Sequence, residues 1–247
     1  MRLAGHTYAF RGLPVAGALT ALEELRFDAV EVWLGHLDSD AAIETVRSRG
    51  LDVVAVSAGG YYESDTATPA RAVEAAYALG APRIVACVSP SRLREVAAAI
   101  PDDLELCVEN HWDQQLARPG EVLRAIGALP SRVGACLDTG HALLAGVRPE
   151  RFARGLEGRL RHVHLKDARP PHYLERAVGR RIRRRLLPRP EPPEPGTGAL
   201  EISSLVAALS ETGYTGTITA EDEGPHPQDA LTDLAARWGV ATMARQG

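Results

Sequence analysis

The chain has 247 residues, 45% of them hydrophobic and 24% charged, which suits one barrel or two modest domains and excludes collagen-like, coiled-coil and disordered classes. A formal net charge of −4 argues against a general polyanion binder, and no apolar run approaches the roughly 18 residues of a membrane span. Cys87, Cys107 and Cys136 are too dispersed for a disulfide framework or a Cys-x-x-Cys zinc pattern, and Met1 to His6 carry no leader-like apolar stretch, so a soluble cytoplasmic protein is expected.

In chain order, short β-branched runs bounded by Gly, Pro or Asp predict strands at 2–6, 29–33, 52–58, 82–88, 104–109, 133–138, 160–166 and 216–222. Helical patterns fill the gaps at 18–25, 41–49, 69–79, 91–100, 119–129, 149–156, 202–212 and 228–244. Several open on Pro, and Gly50, Gly80 and Gly213 follow their ends. Strand–helix alternation calls for a parallel α/β sheet. Eight units in about 250 residues match a single-domain (β/α)8 TIM barrel over 1–247. A doubly wound sheet is the competitor, but no Gly-x-Gly-x-x-Gly follows the first strand.

One segment, 168–198, breaks the rhythm as an Arg/Pro-rich insertion after strand 7. Within 172–187, Arg176, Arg180, Arg181, Arg183, Arg184 and Arg185 face a single acid, Glu175. Leu174, Val178, Ile182 and Leu186 recur every fourth residue, predicting an amphipathic cationic helix. Pro188 to Pro195 then reads as a stiff linker. Following a strand of a barrel, the insertion is expected to overhang the mouth. It would serve as a lid over an anionic substrate, a self-association face or a contact for a partner subunit, unless its stripe simply packs on the barrel.

Functional side chains of a barrel lie at the C-terminal strand ends. Strand 5 ends Val108-Glu109-Asn110-His111 and strand 6 ends Leu137-Asp138-Thr139-Gly140-His141. Strand 7 reads His162-Val163-His164-Leu165-Lys166-Asp167, and strand 8 ends Ala220-Glu221-Asp222-Glu223. Period-2 alternation puts Cys107 and Glu109, Cys136 and Asp138, His162, His164 and Lys166, and Thr219 and Glu221 on the lumen side, opposite apolar neighbours. Glu109, Asp138, His164 and Glu221 should therefore converge. Three close carboxylates repel by about 4 kcal/mol per pair at an effective dielectric near 20, so they take up protons or share a cation. One imidazole with three carboxylates suits one divalent ion, Mn²⁺ first, then Co²⁺, Mg²⁺ or Zn²⁺. Lys166, the only lysine beside 27 arginines, is expected to pair with Asp167 or a nearby carboxylate, or to contact a substrate oxygen. Asn110 and His111 stand where they would support the ligands or meet substrate.

These stretches, with Pro195-Gly196-Thr197-Gly198, Gly213-Tyr214-Thr215-Gly216 and Val30-Glu31-Val32, resemble the xylose-isomerase-like sugar isomerases and epimerases. The resemblance runs from the first strand to the last helix. It implies a (β/α)8 barrel with one divalent metal held by Glu109, Asp138, His164 and Glu221. It further implies that Glu109 and Glu221 double as acid and base, and that Glu31, His141 and Arg169 look toward the substrate. A metal that chelates a carbonyl and an adjacent hydroxyl acidifies the C–H beside them and stabilises an enediolate. Two glutamates then move the proton, giving isomerisation or epimerisation of a polyhydroxy aldehyde or ketone. The stretch His164 to Arg169 also resembles keto-inositol dehydratases, so a lyase acting on a keto-polyol, or on an oxidised glycoside with a partner subunit, is the alternative. An apurinic endonuclease would need three metals, more histidines and a basic face. Neither nucleic acid nor membrane is expected as a partner.

Overall fold

A computed structural model describes residues 1–61, 68–113, 116–156, 158–170 and 191–244. Eight strands among them close into a barrel in sequence order: β1 (Arg2–His6), β2 (Ala29–Trp33), β3 (Asp52–Tyr61), β4 (Arg83–Val88), β5 (Glu105–Glu109), β6 (Val133–Asp138), β7 (Leu160–Leu165) and β8 (Thr217–Ala220). All pairings are parallel, and β1 pairs with both β2 and β8. The helices are α1 (Val15–Glu24), α2 (Asp40–Ser48), α3 (Thr68–Leu79), α4 (Leu93–Ala99), α5 (Pro119–Ile126), α6 (Thr139–Leu144), α7 (Pro149–Arg154), α8 (Ile202–Glu211) and α9 (Pro227–Met243). Short 3-10 turns, Thr7–Phe10 and Leu34–His36, follow β1 and β2.

Two apolar layers follow from the alternation. Outward strand residues such as Val30, Val32, Leu106, Val108, Leu137, Val163 and Leu165 pack with Leu19, Leu22, Ile126, Phe152 and Leu205 of the helices, all buried. Each such side chain stabilises the fold by about 1.5–3 kcal/mol. Inside the barrel a separate cluster of mostly small residues, Ala4, Ala29, Val54, Ala55, Val85, Cys107 and Cys136, fills the lumen. Bulk is limited on the outward face too. A Cβ at Gly5 would lie 2.5 Å from Leu22 Cδ2, so α1 approaches β1 only because that position is glycine.

Three details differ from the expected elements. The register between β2 and β3 shifts at Val54, so that Val30 opposes Val53 while Glu31 opposes Ala55. Such a bulge changes which β3 residues face inward. Helix α6, unanticipated, starts directly after β6, its first turn capped by the Asp138 carboxylate accepting from the His141 N–H at 2.6 Å. Strand β8 stops at Ala220 rather than 222, yet the Glu221 N–H still donates to the Leu165 carbonyl at 3.1 Å, which fixes Glu221 against β7. The expected cationic helix of 172–187 lies outside the described residues. The following stretch 191–200 is irregular, and the Thr197 N–H closes a turn on the Glu194 carbonyl at 3.0 Å. None of the described helices is long and apolar enough to cross a membrane.

Candidate functional site

Strand register builds the site. Glu109 sits beside Cys136, Asp138 beside His164, and His164 beside Thr219, so side chains of β5, β6, β7 and the end of β8 meet at one height. Where the strand ends splay, side chains replace ladder bonds. The Asn110 amide donates to the Asp138 carbonyl at 3.0 Å and accepts from the Asp138 N–H at 2.9 Å. The Thr139 hydroxyl likewise accepts from the Lys166 N–H at 2.8 Å and donates to the Lys166 carbonyl at 2.7 Å. Asn110 thus spends both ends of its amide holding the Asp138 backbone.

The four expected ligands do converge. One donor atom from each of Glu109, Asp138, His164 and Glu221 lies within 4.8 Å of the others. His164 Nδ1 is 3.2 Å from Glu109 Oε1 and 3.1 Å from Glu221 Oε2. Lys166 Nζ is 3.1 Å from Glu221 Oε1, 3.6 Å from Asp138 Oδ2, and bonded to Glu223. Room for its stem comes from Gly140, where a Cβ would lie 2.8 Å from Lys166 Cγ. Glu109 Oε2 also accepts from the Cys87 thiol at 3.0 Å.

Charge in this buried space is strained by burial and relieved by neighbours. Burial pushes the Asp138 carboxyl up to about 7; Lys166 opposes the rise, while Glu109 and Glu221 add to it. Burial acts the same way on Glu221, but Lys166, His6 and His164 outweigh it and hold that carboxyl well below its usual range. His164 outweighs burial at Glu109, which is also lowered. For His164, burial would lower the imidazole, but Cys136 and the carboxylates Glu31, Glu109 and Glu221 raise it well above its ordinary value. His141 is driven well below its ordinary value by burial, Lys166 and His111.

A divalent cation fits this set. Asp138 Oδ2 is buried without a hydrogen-bond partner, an expensive state for a carboxylate oxygen. Oxygen donors with one imidazole suit Mn²⁺, Co²⁺, Mg²⁺ or Zn²⁺, and a 2+ charge would relieve the mutual repulsion of three carboxylates.

The remaining sequence candidates separate. His141 stands against the cluster, with its Nε2 3.9 Å from Asp138 Oδ2 and its ring 3.9 Å from that of His111. Trp112, Gly140, His141, Lys166 and Glu223 line a small cavity of about 40 Å³. Glu31, expected to look toward the substrate, is instead fully buried beneath His164, with Oε1 3.0 Å from His164 Nε2. Arg169, also expected to face substrate, is exposed and donates to the Thr197 hydroxyl at 2.9 Å. Lys166 pairs with site carboxylates rather than Asp167. Asp167 accepts from the Ala168 and Leu200 N–H groups and pairs with Arg237 at 2.9 Å. His162, expected as a hydrogen-bonded lumen histidine, lies 2.7 Å from Glu31 and 2.9 Å from the Thr219 hydroxyl.

Two participants were not singled out as site residues from the sequence. His6, at the end of β1, places Nδ1 3.1 Å from Glu221 Oε2 and stacks on His164 at 5.4 Å between ring centres. Its parity with lumen-facing Ala4 was the available signal. Glu223, two residues beyond Glu221, carried none beyond its proximity.

Comparisons with known proteins agree with the barrel fold. Residues 19–241 match the family model of the xylose isomerase-like TIM barrel. Over 140 residues the chain is 29% identical to the inosose dehydratase of Lacticaseibacillus casei, covering 53% of this chain and 43% of that protein. The chain therefore spans somewhat less than half the length of the curated relatives it matches. Among solved structures, a D-tagatose 3-epimerase-like protein superposes with a TM-score of 0.75 at 16% identity, covering 100% of both chains. The IOLI protein, solved with a bound zinc atom, superposes with a TM-score of 0.72 at 14% identity, covering 99% of this chain and 97% of that one.

Proposed function

The chain belongs to the xylose isomerase-like TIM barrel family, and on that premise we propose that it is a divalent-metal-dependent isomerase or epimerase of a polyhydroxy aldehyde or ketone. The observation that carries the reading is the convergence of Glu109, Asp138, His164 and Glu221, with a buried Asp138 oxygen that lacks a hydrogen-bond partner. A bound divalent ion, Mn²⁺ first among the candidates, would polarise a substrate carbonyl and its neighbouring hydroxyl. Glu109 and Glu221 are the proton carriers. Each is held ionised by its neighbours and so stands ready as a base. Asp138 is fixed by Asn110 and by the first turn of α6, so it serves as a rigid ligand. Lys166 and His141 flank the place where substrate oxygens would sit.

A second reading, dehydration of a keto-polyol, is favoured by Lys166. Its ammonium occupies Glu221 Oε1 while His6 and His164 occupy Oε2. Two-base epimerisation needs both glutamates free to exchange protons, whereas elimination needs one base, here Glu109, and a separate group to assist departure of the hydroxyl. The sequence similarity to an inosose dehydratase supports the same alternative. One experiment separates the two: incubation of Mn²⁺-loaded protein with ketohexoses and keto-inositols in D₂O, followed by NMR. Deuterium at the carbon beside the carbonyl with retained hydroxyls supports isomerase or epimerase action. Loss of a hydroxyl with growth of an enone absorbance supports the dehydratase. Neither exchange nor water loss across both classes contradicts the proposal.

A further inference from the structure

Beneath the four convergent ligands, one carboxylate gathers three imidazoles. Glu31 Oε2 is 2.7 Å from His162 Nε2, and its Oε1 is 3.0 Å from His164 Nε2 and 3.7 Å from His6 Nε2. The Glu31 and His162 side chains are 0% exposed and that of His164 is 1% exposed. An ionised carboxylate out of reach of water persists only when paired and hydrogen-bonded, and among the described residues its close partners are these rings.

The two nitrogens of His164 face opposite ways. Nε2 points down to Glu31, while Nδ1 points up to Glu109 and Glu221. An ionised carboxylate only accepts hydrogen bonds, so in a neutral His164 the proton belongs on Nε2 and the Nδ1 lone pair faces the ligand set. The carboxylate is itself clamped from the far side, because His162 Nε2 meets Glu31 Oε2 and the Thr219 hydroxyl together.

We propose that Glu31 is a positioning residue for the metal centre. It fixes the tautomer and the ring plane of His164, with His162 as its buttress, and contacts neither substrate nor metal. The assignment rests on the metal reading above. Carboxylates hydrogen-bonded to a metal-binding histidine are worth about 10- to 100-fold in metal affinity when removed.

A competing use of the same atoms makes the proposal testable, since Glu31, His162 and His164 also offer donor atoms within 4.8 Å of one another, as a second cation site would. The experiment compares wild type, Glu31→Gln and His162→Asn. It reads Mn²⁺ affinity by calorimetry, metal content by elemental analysis, the visible spectrum of the Co²⁺ form, and the melting temperature of the metal-free protein. We expect about one ion per chain in wild type and in Glu31→Gln, with affinity about 10- to 100-fold weaker in the variant. The Co²⁺ bands should shift, because the ring that ligates the ion is no longer held. His162→Asn should move affinity and spectrum the same way by less, and it carries the test if Glu31→Gln does not fold. Unchanged affinity and spectrum in a folded Glu31→Gln overturns the assignment. Two ions in wild type falling to one in Glu31→Gln overturns it in favour of a second metal site. A wild type that takes up no divalent ion overturns the metal reading itself, a result distinct from either of the others.

Discussion

Lowering the pH should strip the metal from this site, and the structure says by how much. To act as ligands, Asp138 and His164 must both be free of their protons at the ligating atoms. In the metal-free protein the Asp138 carboxyl is pushed up to about 7 by burial, with Lys166 opposing and Glu109 and Glu221 adding to the rise. Burial would lower His164, but Cys136 and the surrounding carboxylates hold it well above its ordinary value. At pH 7, then, Asp138 carries about half a proton, so binding should release at least about 0.5 proton per ion, and the raised His164 adds to that count. Between pH 8 and pH 6 Asp138 alone weakens apparent affinity about tenfold, and the raised His164 adds to that loss. The share from Asp138 is roughly 1.4 kcal/mol. Calorimetric titration with Mn²⁺ at pH 7 in two buffers of different ionisation enthalpy counts the protons directly. The reasoning is refuted if no proton is released at pH 7, or if affinity changes less than about threefold from pH 8 to pH 6.

The same shifts predict stability without metal. Both native pKa values lie above their unfolded counterparts, so the stability these two groups contribute is greatest at low pH. Glu109 and Glu221, held below their usual range, instead lose theirs as the pH falls into the acid range. The contribution of the first pair declines as pH rises from about 4 toward 7 through Asp138, then further through the raised His164 value. Metal-free Asp138→Asn should therefore gain in melting temperature relative to metal-free wild type as pH rises from about 5.5 to 8, and lose that gain when Mn²⁺ is added; a difference that stays constant with pH contradicts this. Glu109→Gln and Glu221→Gln should each keep the fold by circular dichroism and lower proton exchange by at least about a hundredfold, whereas exchange that persists in both removes them as acid and base. Asn110→Ala loses both bonds to the Asp138 backbone, and should cost about 1–3 kcal/mol in denaturant unfolding together with weaker metal binding. Gly198→Ala would place a Cβ 2.0 Å from Asp167 Oδ1, an atom already held by the Ala168 and Leu200 N–H groups. A loss of about 1–3 kcal/mol is expected, and a neutral result would mean that the loop moves freely.

Much of the barrel was legible because each strand obeys one rule. Leu106 and Val108 alternate with Cys107 and Glu109, and Val163 and Leu165 with His162 and His164, so the faces followed once the fold class was set. Convergence of the four ligands is a consequence of those faces and of closure. Depth was not legible. Glu31 shares the lumen face, but only its full burial and its contacts with His162 and with His164 Nε2, the nitrogen turned away from Glu109 and Glu221, show it lying behind the ligands rather than on the rim. Helix α6 was hidden because it is six residues long, has Gly140 in its first turn, and takes its cap from Asp138, a residue with a competing role as a ligand. Arg169 stands three residues past Lys166, where the chain has left the strand and side-chain direction no longer follows from alternation.

The central claim is that Glu109, Asp138, His164 and Glu221 form one divalent-metal centre. It is tested most directly by elemental analysis of protein reconstituted with Mn²⁺, in wild type and in His164→Ala. The account predicts about one ion per chain in wild type, lost in the variant while its barrel remains folded. A folded wild-type protein that retains no ion after reconstitution, or a His164→Ala variant that retains it fully, would contradict the account.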